Sequence, residues 1–197
     1  MKMQIKNSHR AFIAITFLTM LLTITACNEK KEPTQSTATA ASTRVEPPKV
    51  DIHTAVITDN IEALKQHIAA KSNLNEKDPL GGSSPLISAS LFGKTAMAKM
   101  LIEAGADVNL QNNDGSTALH TASFFCRPEI VKMLLDKGAD KTIKNKYGQT
   151  AYESVAGPFA EVKNTYESLS KMLEPMGLKL DYAYLEKTRP EIAAMLK

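Results

Sequence analysis

The stretch Asp114-Gly115-Ser116-Thr117-Ala118-Leu119-His120-Thr121-Ala122-Ser123, continuing through Glu129-Ile130-Val131-Lys132-Met133-Leu134-Leu135-Asp136-Lys137-Gly138-Ala139-Asp140, decides the fold. Asp114-Gly115 makes a tight turn. Thr117 begins a first helix, where its hydroxyl can cap free backbone amides. Leu119 and Ala122 face inward on that helix, and the small alanine lets a neighbouring helix approach closely. Pro128 suits the first turn of a second helix, where a missing N–H costs nothing. Ile130, Val131, Leu134 and Leu135 follow the i, i+1, i+4, i+5 pattern of a buried stripe. Gly138 ends the second helix in the left-handed conformation that glycine tolerates.

This unit recurs at a spacing of 33 residues. Ser84-Pro85-Leu86 returns as Thr117-Ala118-Leu119 and again as Thr150-Ala151-Tyr152, and Ala104-Gly105-Ala106-Asp107 returns as Lys137-Gly138-Ala139-Asp140. Self-similarity at this period means a solenoid of helix pairs, which presents a surface rather than enclosing a catalytic pocket. The copy before the best one contributes Leu86, Ala89, Met97, Ala98, Leu101 and Ile102 to the same stripes. An extra glycine in Gly81-Gly82 stretches the preceding spacing to 34. The first copy, built on Asp51-Ile52-His53-Thr54-Ala55 and Ile61-Glu62-Ala63-Leu64, is degenerate, as suits a terminal unit with a polar outer side. The fourth opens with Tyr147-Gly148-Gln149-Thr150-Ala151, breaks at Gly157-Pro158, then continues with Phe159, Val162, Tyr166, Leu169 and Leu173 at helical spacing up to Pro175. Thr188-Arg189-Pro190-Glu191 reads as a further helix start, followed by Ile192, Ala193 and Leu196.

The unit at 114–140 resembles an ankyrin repeat over its whole length. The resemblance implies an all-α fold: an ankyrin-repeat solenoid of about four helix-turn-helix repeats with a C-terminal helical cap. The repeats are expected over residues 49–176, divided at about 49–79, 80–112, 113–145 and 146–176, with the cap at 177–197. His53 and His120 occupy the histidine position of the family's Thr-Pro-Leu-His motif, where the ring usually bonds the turn; a buried polar group needs such a partner. His67 replaces an outer-helix leucine and is expected to be half-exposed. Cys126 replaces the glycine between two helices.

Residues 1–26 are set apart from this fold. Lys2, Lys6 and Arg10 form a basic region, and Ala11 to Thr25 carries no charge. The uncharged stretch is short against the roughly 20 residues that a membrane-spanning helix needs, and fits a signal-peptide core. Ile24-Thr25-Ala26-Cys27 resembles the bacterial lipobox, which implies cleavage before Cys27, acylation of Cys27 and a lipid anchor in the cell envelope. Asn28 in place of aspartate leans toward the outer membrane, facing the periplasm. Residues 27–48, rich in Ser, Thr, Ala and Pro, read as a disordered tether, because they cannot bury enough surface to offset their ordering entropy.

Charge narrows the partners further. The whole chain has a formal charge of +3. All of it lies in residues 1–26, so the processed chain is neutral, without the basic excess of a nucleic-acid binder. With Cys27 acylated, Cys126 has no intrachain partner, and no Cys/His cluster shows zinc spacing. No Gly-Lys-Ser/Thr phosphate loop follows Gly81-Gly82. The reading is non-catalytic, with no cofactor, no metal and no small-molecule substrate.

The resemblance places Leu91-Phe92 and Phe124-Phe125 at equivalent variable positions late on the inner helices, facing the concave side. Four large apolar side chains on adjacent repeats make a candidate interaction patch; the other reading tucks one of each pair into the stack. Turn-tip residues Lys77, Pro79, Leu80, Gln111, Asn113, Asp114, Lys144, Lys146 and Tyr147 line the same side and are the family's usual source of selectivity. A protein partner in the envelope follows, of unknown identity. Two forms of that role are open: an immunity protein against a periplasmic toxin, or an accessory factor for an envelope enzyme such as catalase in peroxide resistance. An enzyme built on the atypical 158–197 segment is the outside alternative.

Overall fold

The computed structural model describes residues 45–197. Nine α-helices lie among them: α1 (Ile52–Ile57), α2 (Ile61–Ala69), α3 (Pro85–Phe92), α4 (Thr95–Glu103), α5 (Ala118–Phe124), α6 (Pro128–Asp136), α7 (Ala151–Ala156), α8 (Phe159–Leu173) and α9 (Tyr182–Leu196). A single 3-10 turn, Glu174–Met176, follows α8.

The four short inner helices start alike. Asp51, Ser84, Thr117 and Thr150 are their N-caps, and each side chain accepts the backbone N–H three residues on. Such a cap contributes typically about 1 kcal/mol. The chain then leaves the inner helices of the first three units through a left-handed residue: Asp59, Gly93 and Cys126. Lys71, Gly105 and Gly138 hold the same conformation after the outer helices, and Gly82, Gly115 and Gly148 hold it in the turn tips. At Gly115 the close approach matters as much as the backbone angle, because a Cβ there would lie 3.1 Å from the Lys146 backbone nitrogen.

Packing follows the repeat. Helices α1, α3, α5 and α7 stack side by side as an inner layer, with α2, α4 and α6 against α1, α3 and α5. The equivalent trios Ile52, Leu86 and Leu119, then Ala55, Ala89 and Ala122, fill the inner layer. Met97, Leu101, Ile130 and Leu134 fill the outer one, all fully buried. At about 25 cal/mol per Å2 of buried apolar surface, these stripes are the main stabilising contribution.

The fourth unit departs from expectation. Its first helix stops at Ala156, as Gly157-Pro158 indicated, but α8 does not supply the outer helix. Helix α9 packs on α7 and lies against α6, taking the place that α6 takes on α5. The fourth repeat is therefore α7 plus α9, with residues 157–181 inserted between them, and the boundary at 176/177 does not separate repeat from cap. Nor does a helix begin at Thr188. Asp181 caps α9, accepting from the Tyr184 N–H at 3.1 Å, and Pro190 lies inside the helix. The proline forgoes one helical bond, to the Glu186 carbonyl. Burial of Leu185 before it and of Ile192 and Leu196 after it holds the helix continuous.

Candidate interaction surface

The turn tips form a continuous edge. The Gly81 carbonyl accepts the Asn113 N–H at 2.9 Å, and the Asp114 carbonyl accepts the Lys146 N–H at 2.8 Å, so consecutive tips are tied backbone to backbone. Asp78, Asn112 and Asn145 stiffen each tip from within, their side-chain oxygens accepting backbone N–H groups of the same turn. Burial pushes the Asp78 carboxyl up, but donors from Gly81, Ser83 and Leu80 outweigh it and hold the group below the usual range.

On this braced edge Lys77, Pro79, Asn113, Asp114, Lys144 and Lys146 are exposed. Leu80 is 90% and Tyr147 74% exposed. Gln111 differs from its neighbours: its amide donates to the Gly115 carbonyl at 2.6 Å and to the Lys144 carbonyl at 3.4 Å, so it braces two tips. Lys77 in turn donates to the Gln111 carbonyl at 2.6 Å.

The phenylalanine pairs do not form the open patch expected of them. Leu91 and Phe92 are half-buried, and Phe125 is only 6% exposed. Phe124 stacks on Tyr166 of α8 with ring centroids 4.5 Å apart, and Phe125 meets the same ring edge-on at 6.3 Å. The Tyr166 hydroxyl donates to the Phe124 carbonyl. The chain's own inserted helix therefore covers the unit-three half of the edge. Helix α5 also separates this edge from the tips by about 10 Å at 1.5 Å per residue, so the two groups do not merge into one cluster.

Arg189 lies behind Tyr166 and is 2% exposed. It donates to the Tyr166 hydroxyl at 2.9 Å and to the carbonyls of Gly157 at 3.1 Å and Ser154 at 3.5 Å, closing the C-terminal end of α7, where a cation is favoured. Burial pushes the Tyr166 phenol up to about 12, so the hydroxyl stays protonated. A cavity of about 320 Å3 adjoins this knot, lined by residues that include Val155, Phe159, Glu186 and Arg189. Neither Tyr166 nor Arg189 was singled out from sequence. The only available signal was Tyr166 at the centre of the Phe159–Leu173 stripe.

The three histidines among the described residues part ways. His120 behaves as the motif implies: its Nδ1 accepts from the Thr117 N–H at 3.2 Å, and its Nε2 meets the Gln149 carbonyl at 3.1 Å. This network assigns the neutral Nε2–H tautomer. Burial lowers the His120 pKa against its backbone partners. His53 does not bond the turn, and both its ring nitrogens are buried without partners. Helix α1 is capped one residue late, by Asp51, and that carboxylate binds Thr54 instead. His67 is 6% exposed rather than half-exposed, and ties Ser72 to the Val50 carbonyl.

Cys126 is fully buried beneath α9, with its thiol 3.7 Å from the Leu185 carbonyl. Burial pushes that thiol up to about 11. Among the described residues, no group of three or more His, Cys, Asp or Glu side chains is placed to hold a metal ion, and no helix is long and apolar enough to cross a membrane. Cys27, the leader and nearly all of the tether lie outside the described residues.

Residues 52–145 match the family model of ankyrin repeats in three copies. The crystal structure of the ankyrin repeat domain of Bcl-3, a unique member of the IkappaB protein family, is similar, at 33% identity and a TM-score of 0.51. The similarity covers 52% of this chain and 45% of that one, so the chain spans less than half the length of that structure. No curated protein sequence matches the chain. The fold is thus an ankyrin-repeat solenoid, all-helical among the described residues. Repeats of this kind imply a protein partner, and no enzyme family is indicated.

Proposed function

We propose that this chain is a lipid-anchored, non-catalytic ankyrin-repeat protein that binds another protein in the bacterial cell envelope through its turn tips. One observation carries the choice of surface: Leu80 and Tyr147, large and apolar, stand almost free of the body on turns whose backbones are braced from within. Exposed apolar side chains held on rigid supports lose little freedom on binding, so they suit interface anchors. Lys77, Lys144 and Lys146 beside them favour an acidic rim on the partner. The basic leader, the uncharged stretch and Ile24-Thr25-Ala26-Cys27 support the anchor, and Asn28 supports the outer membrane.

Within this role the chain serves either as an immunity protein against a periplasmic toxin or as an accessory factor for an envelope enzyme such as catalase. A neighbouring toxin gene or heme-enzyme gene would separate the two.

The test is capture from detergent-solubilised envelope with the processed chain as bait. Leu80→Ala and Tyr147→Ala are each expected to weaken the captured complex about tenfold or more, with unchanged melting curves. Capture that survives the double variant undiminished would reject the tips as the binding edge. In the same cells, wild-type protein is expected to stay with membranes after a high-salt wash and Cys27→Ser to be uncleaved or soluble. Wild-type protein in the soluble periplasmic fraction would reject the anchor.

A further inference from the structure

Helix α8 is attached to the solenoid differently from every helix around it. Of its fifteen residues one, Tyr166, is buried. The nine-residue α6 buries three, Ile130, Val131 and Leu134. The hold of α8 centres on that single ring, which stacks on Phe124 and meets Phe125 edge-on, and whose hydroxyl meets the Phe124 carbonyl and Arg189; Phe159 and Val162 of the same helix add half-buried contacts with the core. Farther along, Leu169 and Leu173 are only half-buried, and Met172 is 63% exposed.

Both ends of the insertion are marked by a break in the helical path. Gly157-Pro158 separates it from α7, and the 3-10 turn after α8 ends in Gly177 with φ of 88°. What would stay behind is independently secured. Helix α9 buries Leu185, Ile192 and Leu196. Arg189 keeps the Ser154 and Gly157 carbonyls even without Tyr166. Lifting α8 therefore breaks one aromatic cluster, two hydrogen bonds, the half-buried contacts of Phe159 and Val162 and the packing of α8 on α9, while leaving the stacked layers intact.

We propose that α8 is a releasable strap, closed over the Phe124–Phe125 edge of the inner helices and able to lift as a unit between Gly157 and Gly177 while the repeats and α9 stay folded. The lifted form uncovers Phe124 and Phe125 beside their repeat equivalents Leu91 and Phe92, completing an apolar edge that the closed form shows only in part. The shape of that edge is defined by what it holds now: one face of an amphipathic helix with an aromatic ring at its centre. The strap does not depend on whether the turn tips bind a partner, because its behaviour is read on the chain alone.

Hydrogen exchange on the full chain tests it, since local opening makes one element exchange faster than the elements it leaves folded. Amides of α8 are expected to exchange about tenfold or more faster than those of α5, α6 and α9. Tyr166→Ala is expected to speed α8 about a further hundredfold while leaving α5, α6 and α9 within about threefold, as local opening requires. Tyr166→Phe, which keeps the stacking and loses both hydroxyl bonds, is expected to fall between the two. Exchange of α8 in step with α9 and α5 in the wild type would overturn the strap, as would a Tyr166→Ala variant in which α9 opens as much as α8. If Tyr166→Ala does not fold, Tyr166→Phe decides: selective acceleration of α8 upholds the strap, and uniform acceleration of all four helices overturns it.

Discussion

Units two and three hold together differently from unit four, although both follow the same plan. In α3–α4 and α5–α6 the outer helix follows the inner one after a few residues, and the interface is an uninterrupted apolar stripe. In unit four, residues 157–181 intervene before α9 returns to the outer position. The end is secured by an aromatic cluster and a buried arginine. A regular interface spreads its stabilisation over many equivalent contacts, whereas the terminal one adds to the buried Leu185, Ile192 and Leu196 of α9 a concentrated knot at Tyr166 and Arg189. Substitutions should accordingly act broadly in the middle of the stack and selectively at its end.

The largest expected effect probes this contrast through repeat-equivalent residues. Phe125→Ala removes a nearly buried ring from the junction of unit three and α8, and should cost about 3–5 kcal/mol, in the range for buried Phe→Ala. Phe92→Ala removes its half-buried equivalent, with no α8 ring among the contacts of its unit, and should cost less than half as much. Leu134→Ala, within the regular stripe, should cost about 2–5 kcal/mol. Ile192→Ala, fully buried but in the terminal unit with a neighbour on one side only, should cost less than Leu134→Ala. Denaturant melts of the four variants give the order. Equal costs for Phe92→Ala and Phe125→Ala would show that α8 adds nothing to the unit-three edge.

How much of this could be read in the sequence follows the same divide. Units two and three were legible because turn, cap, proline and stripe agree at one period, and every level of structure repeats with them. The outer helix of unit four was not, because Phe159, Val162, Tyr166, Leu169 and Leu173 offer α8 as regular a stripe as any outer helix has. Choosing between α8 and α9 depends on which one α6 receives, a tertiary choice that local spacing does not encode. Covering of Phe124 comes from Tyr166, 42 residues away, and leaves no mark near Phe124 itself. His53 misses the turn for a local reason: the cap moved by one residue, so the ring sits at the second helical position where His120 occupies the third.

His120 gives an effect of intermediate size that depends on pH. The folded chain holds His120 neutral, with a pKa below its unfolded value near 6.5. Its contribution is complete above that value. As the pH falls below it, the unfolded chain takes up a proton that the folded ring refuses, and stability declines until the lowered folded pKa is reached. Protonation would also turn Nδ1 from an acceptor into a donor facing the Thr117 N–H. Wild-type protein should therefore lose more thermal stability between pH 7 and pH 5 than His120→Gln does. Parallel pH profiles for the two proteins would remove His120 from the account of acid sensitivity.

The smallest effect is expected at Cys126, where two contributions oppose each other. A non-glycine residue in the left-handed region costs roughly 1–2 kcal/mol, and Cys126 sits there with φ of 52°. Gly93 occupies the equivalent position of unit two without that cost. Against this, Cys126→Gly would leave a small void under Leu185, and the lost burial amounts to roughly 1 kcal/mol. The two nearly cancel, so Cys126→Gly should lie within about 1 kcal/mol of wild type, unlike any of the core substitutions above. The thiol itself should be inert: it is fully buried, and its pKa of about 11 leaves almost no thiolate near neutral pH. In a Cys27→Ser background, where Cys126 is the only cysteine, labelling by a thiol reagent should be slow in the folded protein and fast in denaturant. Fast labelling of the folded chain would mean that α9 leaves the thiol as readily as α8 leaves Phe124. The terminal unit would then open as a whole rather than through its inserted helix alone.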